Sequence, residues 1–187
     1  KFPELKNHIH LGDILKIDLT TIFPSGDFAI IGNFPYNISS QILFKTLENR
    51  VRIPFFCGMF QKEVALRICG NPGNKTYGIL SVLSQVYYET NYLFDVPPNV
   101  FSPPPKVNSG VIALRRKENL VIDFDEKLLF RVVKTGFQQR RKTLRNSLKS
   151  LDIPKTILED SIFDLRPERL SSDQFIELTK LIGNAKV

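Results

Sequence analysis

Phe28-Ala29-Ile30-Ile31-Gly32-Asn33-Phe34-Pro35-Tyr36 is the stretch on which the reading of this chain turns. Its first five residues form an apolar run closed by glycine, which reads as a buried strand. Its last four set a side-chain amide, a proline of fixed φ and an aromatic ring at the carboxyl end of that strand. Chemistry on an exocyclic amine needs such a set. An adenine amino nitrogen is a poor nucleophile because its lone pair is delocalised into the ring. Two acceptors aimed at its hydrogens draw that pair out of conjugation. The Asn33 side-chain oxygen and the Pro35 carbonyl are the candidate acceptors, and Tyr36 is the candidate stacking face for an unpaired base. The same residues also suit an ordinary strand-to-helix turn, so the rest of the chain has to decide.

Outward from this stretch, strand-like and helix-like runs alternate. Residues 38–49 read as a helix with Ile42, Leu43 and Leu47 on one face and Asn37 or Ser39 as its cap. Strands are expected at 55–60, 91–96 and 109–115, and helices at 61–68 and 79–88, with a polar turn at 70–75. Upstream, residues 8–11 read as a short strand ending at Gly12-Asp13. The alternation argues for an α/β domain with a mostly parallel sheet. The last two strands have no helix between them and are expected to pair antiparallel. A charged break at 115–119 then leads into helical periodicity. Leu128, Leu129, Val132 and Val133 share one face, as do Leu144, Leu148 and Leu151. Pro154 opens a short segment, and Ser171-x-x-Gln174 is a capping box before the last helix. The expected organisation is a sheet domain over 1–119 and a small all-helical domain over 120–187.

Composition narrows the partners. At 187 residues, 42% hydrophobic and 24% charged, the chain is an ordinary globular one. No run is long enough to span a bilayer, and the polar N-terminus does not read as a secretory signal. Cys57 and Cys69 lack metal-ligand spacing and read as buried structural thiols of a reducing, cytoplasmic compartment. With His8 and His10 as the two histidines, neither a zinc site nor a Ser-His-Asp triad has support. The net charge of +7 is concentrated. Between 134 and 149 lie Lys134, Arg140, Arg141, Lys142, Arg145 and Lys149 with no acidic residue. Lys142, Arg145 and Lys149 are expected to share one face of a basic helix, which suits a phosphate backbone. A solvated charged face is the other reading.

Two further constellations bear on chemistry. Ligands of a doubly wound sheet sit outside the carboxyl ends of its strands, so Asp13 and Asn33, at two such ends, are expected to face one pocket. Asp13 also suits a turn cap. Phe101-Ser102-Pro103-Pro104-Pro105-Lys106-Val107 is a stiff segment without backbone donors at its prolines. It can hold Phe101 as a wall opposite Tyr36 and present Lys106 to a phosphate. Simple packing of Phe101 into the core is the alternative.

Taken together, Gly12-Asp13, Asn33-Phe34-Pro35-Tyr36-Asn37-Ile38-Ser39, Gln61-Lys62-Glu63-Val64-Ala65-x-Arg67, Phe101-x-Pro103-Pro104-Pro105-Lys106-Val107-x-Ser109 and Gln139-Arg140-Arg141-Lys142-x-Leu144-Arg145-Asn146-Ser147-Leu148 occur in this order. The series resembles the small-subunit ribosomal RNA adenine dimethyltransferases over essentially the whole chain. That resemblance implies the C-terminal part of a Rossmann-like methyltransferase sheet and a small helical RNA-binding domain. It implies S-adenosylmethionine as cofactor, no metal, and transfer of methyl groups to N6 of two adjacent adenosines near the 3′ end of small-subunit rRNA. By the same resemblance Asp13 contacts the cofactor's adenine, and Asn33 lies beside the methyl donor and accepts from the target amine. Pro35 offers its carbonyl, and Tyr36 and Phe101 sandwich the base. Lys106, Arg140, Arg141, Lys142, Arg145 and Lys149 meet RNA of the small ribosomal subunit, and the complete protein is a monomer. The family's glycine-rich loop is not matched, since none of the 10 glycines forms a GxGxxG-like run. The chain opens on Lys1 and is soon in a domain interior, so it reads as a truncated form that binds cofactor weakly alone.

Three other readings share parts of the pattern. Large-subunit rRNA adenine methylases carry Asn-x-Pro-Tyr and a similar Phe-Pro-rich loop, but the segment from Gln139 to Leu148 looks more like the small-subunit enzymes. Release-factor glutamine methyltransferases carry Asn-Pro-Pro-Tyr, against which Phe34 and the basic segment argue. A non-catalytic RNA-binding or ribosome-assembly module fits the unmatched cofactor loop but not the presence of both Asn33 and Tyr36.

Overall fold

In the computed structural model, which describes residues 2–185, the apolar run around Ile30 forms strand β1, Ile30–Asn33, not buried as expected: among the described strands it pairs on one side only, with β2, and Ile31 is exposed. Lys1, Lys186 and Val187, at the outer ends of the two expected domains, lie outside the described residues. A short helix α1, Leu19–Ile22, precedes β1 and is capped by the Asp18 carboxylate. Helix α2, Ser39–Glu48, follows it and buries Ile42, Leu43, Thr46 and Leu47. Neither expected cap residue caps α2. Ile38 stands at its N-cap, and the Ser39 hydroxyl instead turns back to the Tyr36 carbonyl at 3.1 Å.

Strand β2, Phe55–Gln61, leads directly into α3, Lys62–Ile68. Helix α4, Ile79–Tyr87, runs into β3, Tyr88–Val96, and a loop over 97–108 returns the chain as β4, Ser109–Arg116. The sheet order is β1-β2-β4-β3, with β1 parallel to β2 and β4 antiparallel to both its neighbours. Three strands thus run the same way, but one neighbouring pair is parallel, not most of them. The reversed strand sits inside. β4 carries the unbroken apolar run Val111-Ile112-Ala113-Leu114 that a strand covered on both faces needs, whereas β3 alternates with Glu89, Asn91 and Asp95 and suits an edge. The antiparallel pairing of β3 with β4 is as expected. The strand expected at 8–11 is not formed. A 3₁₀ turn over Pro3–His8 takes its place, and Ile9 and Leu11 are exposed. A strand needs a ladder partner, and no described strand pairs with this segment.

The C-terminal part opens with α5, Glu126–Gln138, whose first-turn amides of Lys127 and Leu128 are accepted by Asp125 at 2.8 and 3.0 Å. α6, Leu144–Ser147, α7, Lys155–Leu158, and α8, Ser172–Asn184, complete the chain. The Ser171/Gln174 capping box of α8 is formed in both directions, at 3.2 and 2.9 Å. One apolar core runs from α2 and the sheet through Val82, Val86 and Tyr87 of α4 to Leu129 and Val133 of α5 and Phe175 of α8. The join is polar where it nears the surface. Glu126 accepts from Arg50 at 2.6 Å and from the Tyr87 hydroxyl at 2.6 Å, and Arg50 lies over the Tyr87 ring at 4.4 Å. Burial first, then this carboxylate, pushes the Tyr87 hydroxyl far above its usual pKa. The Arg50 side chain is 16% exposed, so Glu126→Ala strands a mostly buried guanidinium. The expected cost is about 3 kcal/mol, read as a lower urea midpoint with unchanged slope.

Cys57 and Cys69 are unpaired and half-buried, not fully buried as expected. Cys57 lies on the face of β2 opposite the buried Phe56 and Phe60, and Cys69 stands at the C-cap of α3. Burial nonetheless pushes the Cys69 thiol up to about 11, which leaves it protonated and unreactive near neutrality.

Candidate active site

The turn after β1 is fixed by the residue between its two polar ends. Gly32 and Gly58 are cross-strand partners in β1 and β2. A Cβ on Gly32 would lie 2.6 Å from Phe34 Cε1, and one on Gly58 would lie 2.9 Å from Phe34 Cδ2. The two glycines therefore leave a slot that the Phe34 ring fills. It stacks on Phe56 at 5.5 Å and meets Phe60 edge-on at 5.8 Å. Phe56 and Phe60 are fully buried. With Phe34 anchored inward, Asn33 is left exposed at the end of β1 and Tyr36 half-buried beyond Pro35. Glycine in a strand interior often marks such a close approach. That signal could have identified Phe34 as the anchor from sequence.

Asn33, Pro35, Tyr36 and Phe101 line one cleft of about 320 Å³ with Phe34, Pro103 and Pro105. No Lys, Arg, Asp or Glu lines it. The Pro35 carbonyl already accepts the Ile38 amide at 3.1 Å. A carbonyl oxygen carries two lone pairs, so one acceptor site remains. The Tyr36 hydroxyl is 2.6 Å from Ser109 Oγ, and Ser109 is fully buried at the start of β4. This bond joins the turn after β1 to the strand after the proline-rich loop. A second tie lies alongside it, where the Lys62 amide donates to the Asn108 carbonyl at 2.9 Å and the Lys62 ammonium pairs with Asp95 at 2.6 Å. Hydrogen bonds from Lys62, then from Tyr92, hold the Asp95 carboxyl below its usual range. That contribution is present above the ordinary carboxylate pKa and is lost as pH falls through the lowered value. Both ends of the loop bearing Phe101 are thereby tied to the strands that carry the site. Ser109 and Lys62 belong to the quoted motifs, but spacing gave them no role.

Ser109→Ala is expected to cost about 1 kcal/mol, the net worth of one hydrogen bond, read from the chemical-denaturation midpoint. Tyr36→Phe removes the same bond from the other side, so the double variant should cost little more than either single one.

Asp13 is not among the residues lining this cleft. Its carboxylate accepts the Leu15 amide at 3.0 Å through Oδ1 and lies 3.8 Å from Lys16 through Oδ2. It serves as the turn cap, with Oδ2 still able to accept from a ligand amine.

The basic segment is not one helix. α5 ends at Gln138, residues 139–143 turn, and after α6 a 3₁₀ turn spans Lys149–Leu151. The stripe expected of Lys142, Arg145 and Lys149 is broken accordingly. Leu144, Leu148 and Leu151 are nonetheless all buried together. Acidic partners absent from the segment come from further along the chain. Arg145 pairs with Asp164 at 2.7 Å and donates to the Leu158 carbonyl. Arg140 meets Glu168 at 3.3 Å and donates to the carbonyls of Lys75 at 2.7 Å and Asn74 at 2.9 Å. Lys106, Arg141, Lys142 and Lys149 are exposed, with no ion pair among the described residues. No group of three or more His, Cys, Asp or Glu that could hold a metal ion occurs among the described residues. No helix there is long and apolar enough to cross a membrane.

A mixed sheet flanked by helices, with Asn-x-Pro-Tyr at a strand end facing a Phe-Pro loop, defines a Rossmann-like methyltransferase. The family model described as ribosomal RNA adenine dimethylase matches residues 2–180. The chain belongs to that family, one of rRNA-modifying enzymes. It is 60% identical over 181 residues to a ribosomal RNA small subunit methyltransferase A of Flavobacterium johnsoniae, covering 97% of this chain and 69% of that one. A relative of the same name from Cytophaga hutchinsonii is 55% identical, with 97% and 70% covered. Among solved structures, a dimethyladenosine transferase from Plasmodium falciparum superposes with a TM-score of 0.82 at 25% identity, covering 95% of this chain and 73% of that one. The 23S rRNA methyltransferase ErmE superposes with a TM-score of 0.66 at 22% identity, with 96% and 76% covered, and shares the fold.

Proposed function

We propose that this protein transfers methyl groups from S-adenosylmethionine to N6 of two adjacent adenosines near the 3′ end of small-subunit rRNA. The observation that carries the reading is the uncharged cleft in which Asn33, Pro35, Tyr36 and Phe101 meet. S-adenosylmethionine supplies an activated methyl group when bound, so the chain needs neither a nucleophile of its own nor a metal. What the chain must do is hold the amine and raise its nucleophilicity. The Asn33 side-chain oxygen and the remaining lone pair of Pro35 accept the two amine hydrogens, and the nitrogen lone pair leaves conjugation with the ring. Tyr36, held by Ser109, and Phe101, held by its stiff loop, stack on the two faces of the flipped adenine. Asp13 Oδ2 suits the exocyclic amine of the cofactor's adenine.

Binding energy comes from elsewhere. Lys106, Arg141, Lys142 and Lys149 meet backbone phosphates from the loop and from the helical part over 120–187. Arg140 and Arg145, held in ion pairs, shape that surface. Sequence relatives named for the small subunit, at 60% and 55% identity, favour that substrate over the large subunit. The protein acts in ribosome biogenesis, in the cytoplasm and as a monomer.

The test is label transfer from S-adenosylmethionine to undermethylated small and large ribosomal subunits by the full gene product. Label in small subunits, recovered as N6,N6-dimethyladenine, supports the reading. Label confined to large subunits overturns the substrate, and RNA binding without label from either favours an assembly module.

A further inference from the structure

We infer that the joint between the sheet and the C-terminal helices is a second nucleotide site, which holds an unstacked nucleotide flanking the target adenosine. The inference rests on the RNA-methylating reading and adds residues outside the basic segment. Two adjoining clefts, of about 490 and 360 Å³, share Phe137 and Arg140. The first is also lined by Phe44 of α2, Arg67 of α3, Lys75 and the start of α4. The second adds Arg141 and Lys142. Five cations line the pair, and no Asp or Glu does so among the described residues. Other clefts on the molecule mix signs, as where Asp18, Lys45 and Glu48 meet. The target-base cleft has no charged residue at all. A single-signed, aromatic-floored cleft fits a phosphate with its base, the pairing of cation and ring that single-stranded sites use.

The cleft is preformed. Arg140 ties the 70–75 turn to the end of α5 through the Lys75 and Asn74 carbonyls. Gly78 stands at the α4 N-cap without a side chain to accept its first amides, and Gly78, Ile79 and Leu80 all line the cleft. Those amides add positive potential where the cations already converge. Placement follows from two helices that begin beside segments bearing the target-base cleft, α2 after the Asn33–Tyr36 turn and α3 against the end of the Phe101 loop. α2 starts just after Tyr36, and α3 starts at Lys62, whose amide holds Asn108. Each reaches the joint five residues on, at Phe44 and Arg67, a rise of about 7.5 Å. A short run of single strand therefore spans the two sites.

The probe is a short RNA of the small-subunit 3′ end with 4-thiouridine beside the target adenosine, and the protein is the full gene product. Arg67→Ala with Lys75→Ala leaves the basic segment intact. Lys75 is exposed, and Arg67 has one exposed i,i+4 pair with Glu63, so the fold should be kept, which thermal melting checks. The expected result is about tenfold weaker RNA binding at low salt. The plot of log affinity against log salt should become shallower by about 1.4, two phosphates at about 0.7 each for single strands. Photocrosslinks to Phe44 or to residues 75–80 are expected in the wild type and should fall in the variant. Unchanged slope and affinity, with crosslinks elsewhere, overturn this site while methyl transfer continues to support the reading beneath it. A wild-type protein that binds no such RNA overturns both.

Discussion

Asn33→Ala is expected to lower kcat for methyl transfer by a factor on the order of 10² to 10³, the usual effect of removing one polar group that acts on the reacting atoms. RNA affinity should stay close to that of the wild type. The separation follows from where the residue sits. Asn33 is exposed at the end of β1 and lines a cleft without charges, so its loss neither opens the core nor removes a phosphate contact. On the proposed function, what is lost is one of two acceptors for the amine hydrogens, an interaction that strengthens as the nitrogen attacks. Single-turnover methylation beside filter binding of the same RNA reads both quantities. A large loss of RNA affinity with the chemical step unimpaired would count against the pocket assignment.

Gly58→Ala is expected to damage both stability and activity. The new Cβ would fall inside van der Waals contact of Phe34 Cε2, 2.9 Å from Cδ2 and 3.1 Å from Phe60 Cε2. Phe56 and Phe60 hold the Phe34 ring on its inner sides, so it can move only into the cleft it lines. Overpacking of this kind costs about 1–3 kcal/mol. Here a second effect follows, since a displaced Phe34 drags Asn33 and Pro35 with it. The expected phenotype is a lowered denaturation midpoint together with a fall in kcat larger than the stability loss explains. Phe34→Leu in the same chain should restore much of the stability by vacating the slot. If Gly58→Ala keeps wild-type stability and activity, the glycine slot does not position the turn.

Much of this was legible because the signals were local. The strand before Asn33, the cap at Ser171, and the helices carrying Ile42 and Val132 follow from periodicity and short-range chemistry. The four cleft residues were legible as a motif, and the structure adds that they share one cavity. What was not legible depends on contacts far apart in sequence. β4 enters the sheet between β2 and β3, a choice made by which strand is apolar on both faces. Arg140 and Arg145 looked uncompensated until Glu168 and Asp164 came round from 28 and 19 residues away. Phe34 served in the sequence only to set the turn apart from Asn-Pro-Pro-Tyr, and its anchoring role needs Gly32 and Gly58 brought against its ring from two strands.

The most direct test of the central claim is to measure N6,N6-dimethyladenine by mass spectrometry in small-subunit rRNA from cells lacking this gene, with and without complementation. The modified nucleoside is expected to disappear in the deletion, to return with the wild-type gene and not to return with Asn33→Ala. Full modification in the deletion, or its restoration by Asn33→Ala, would contradict it.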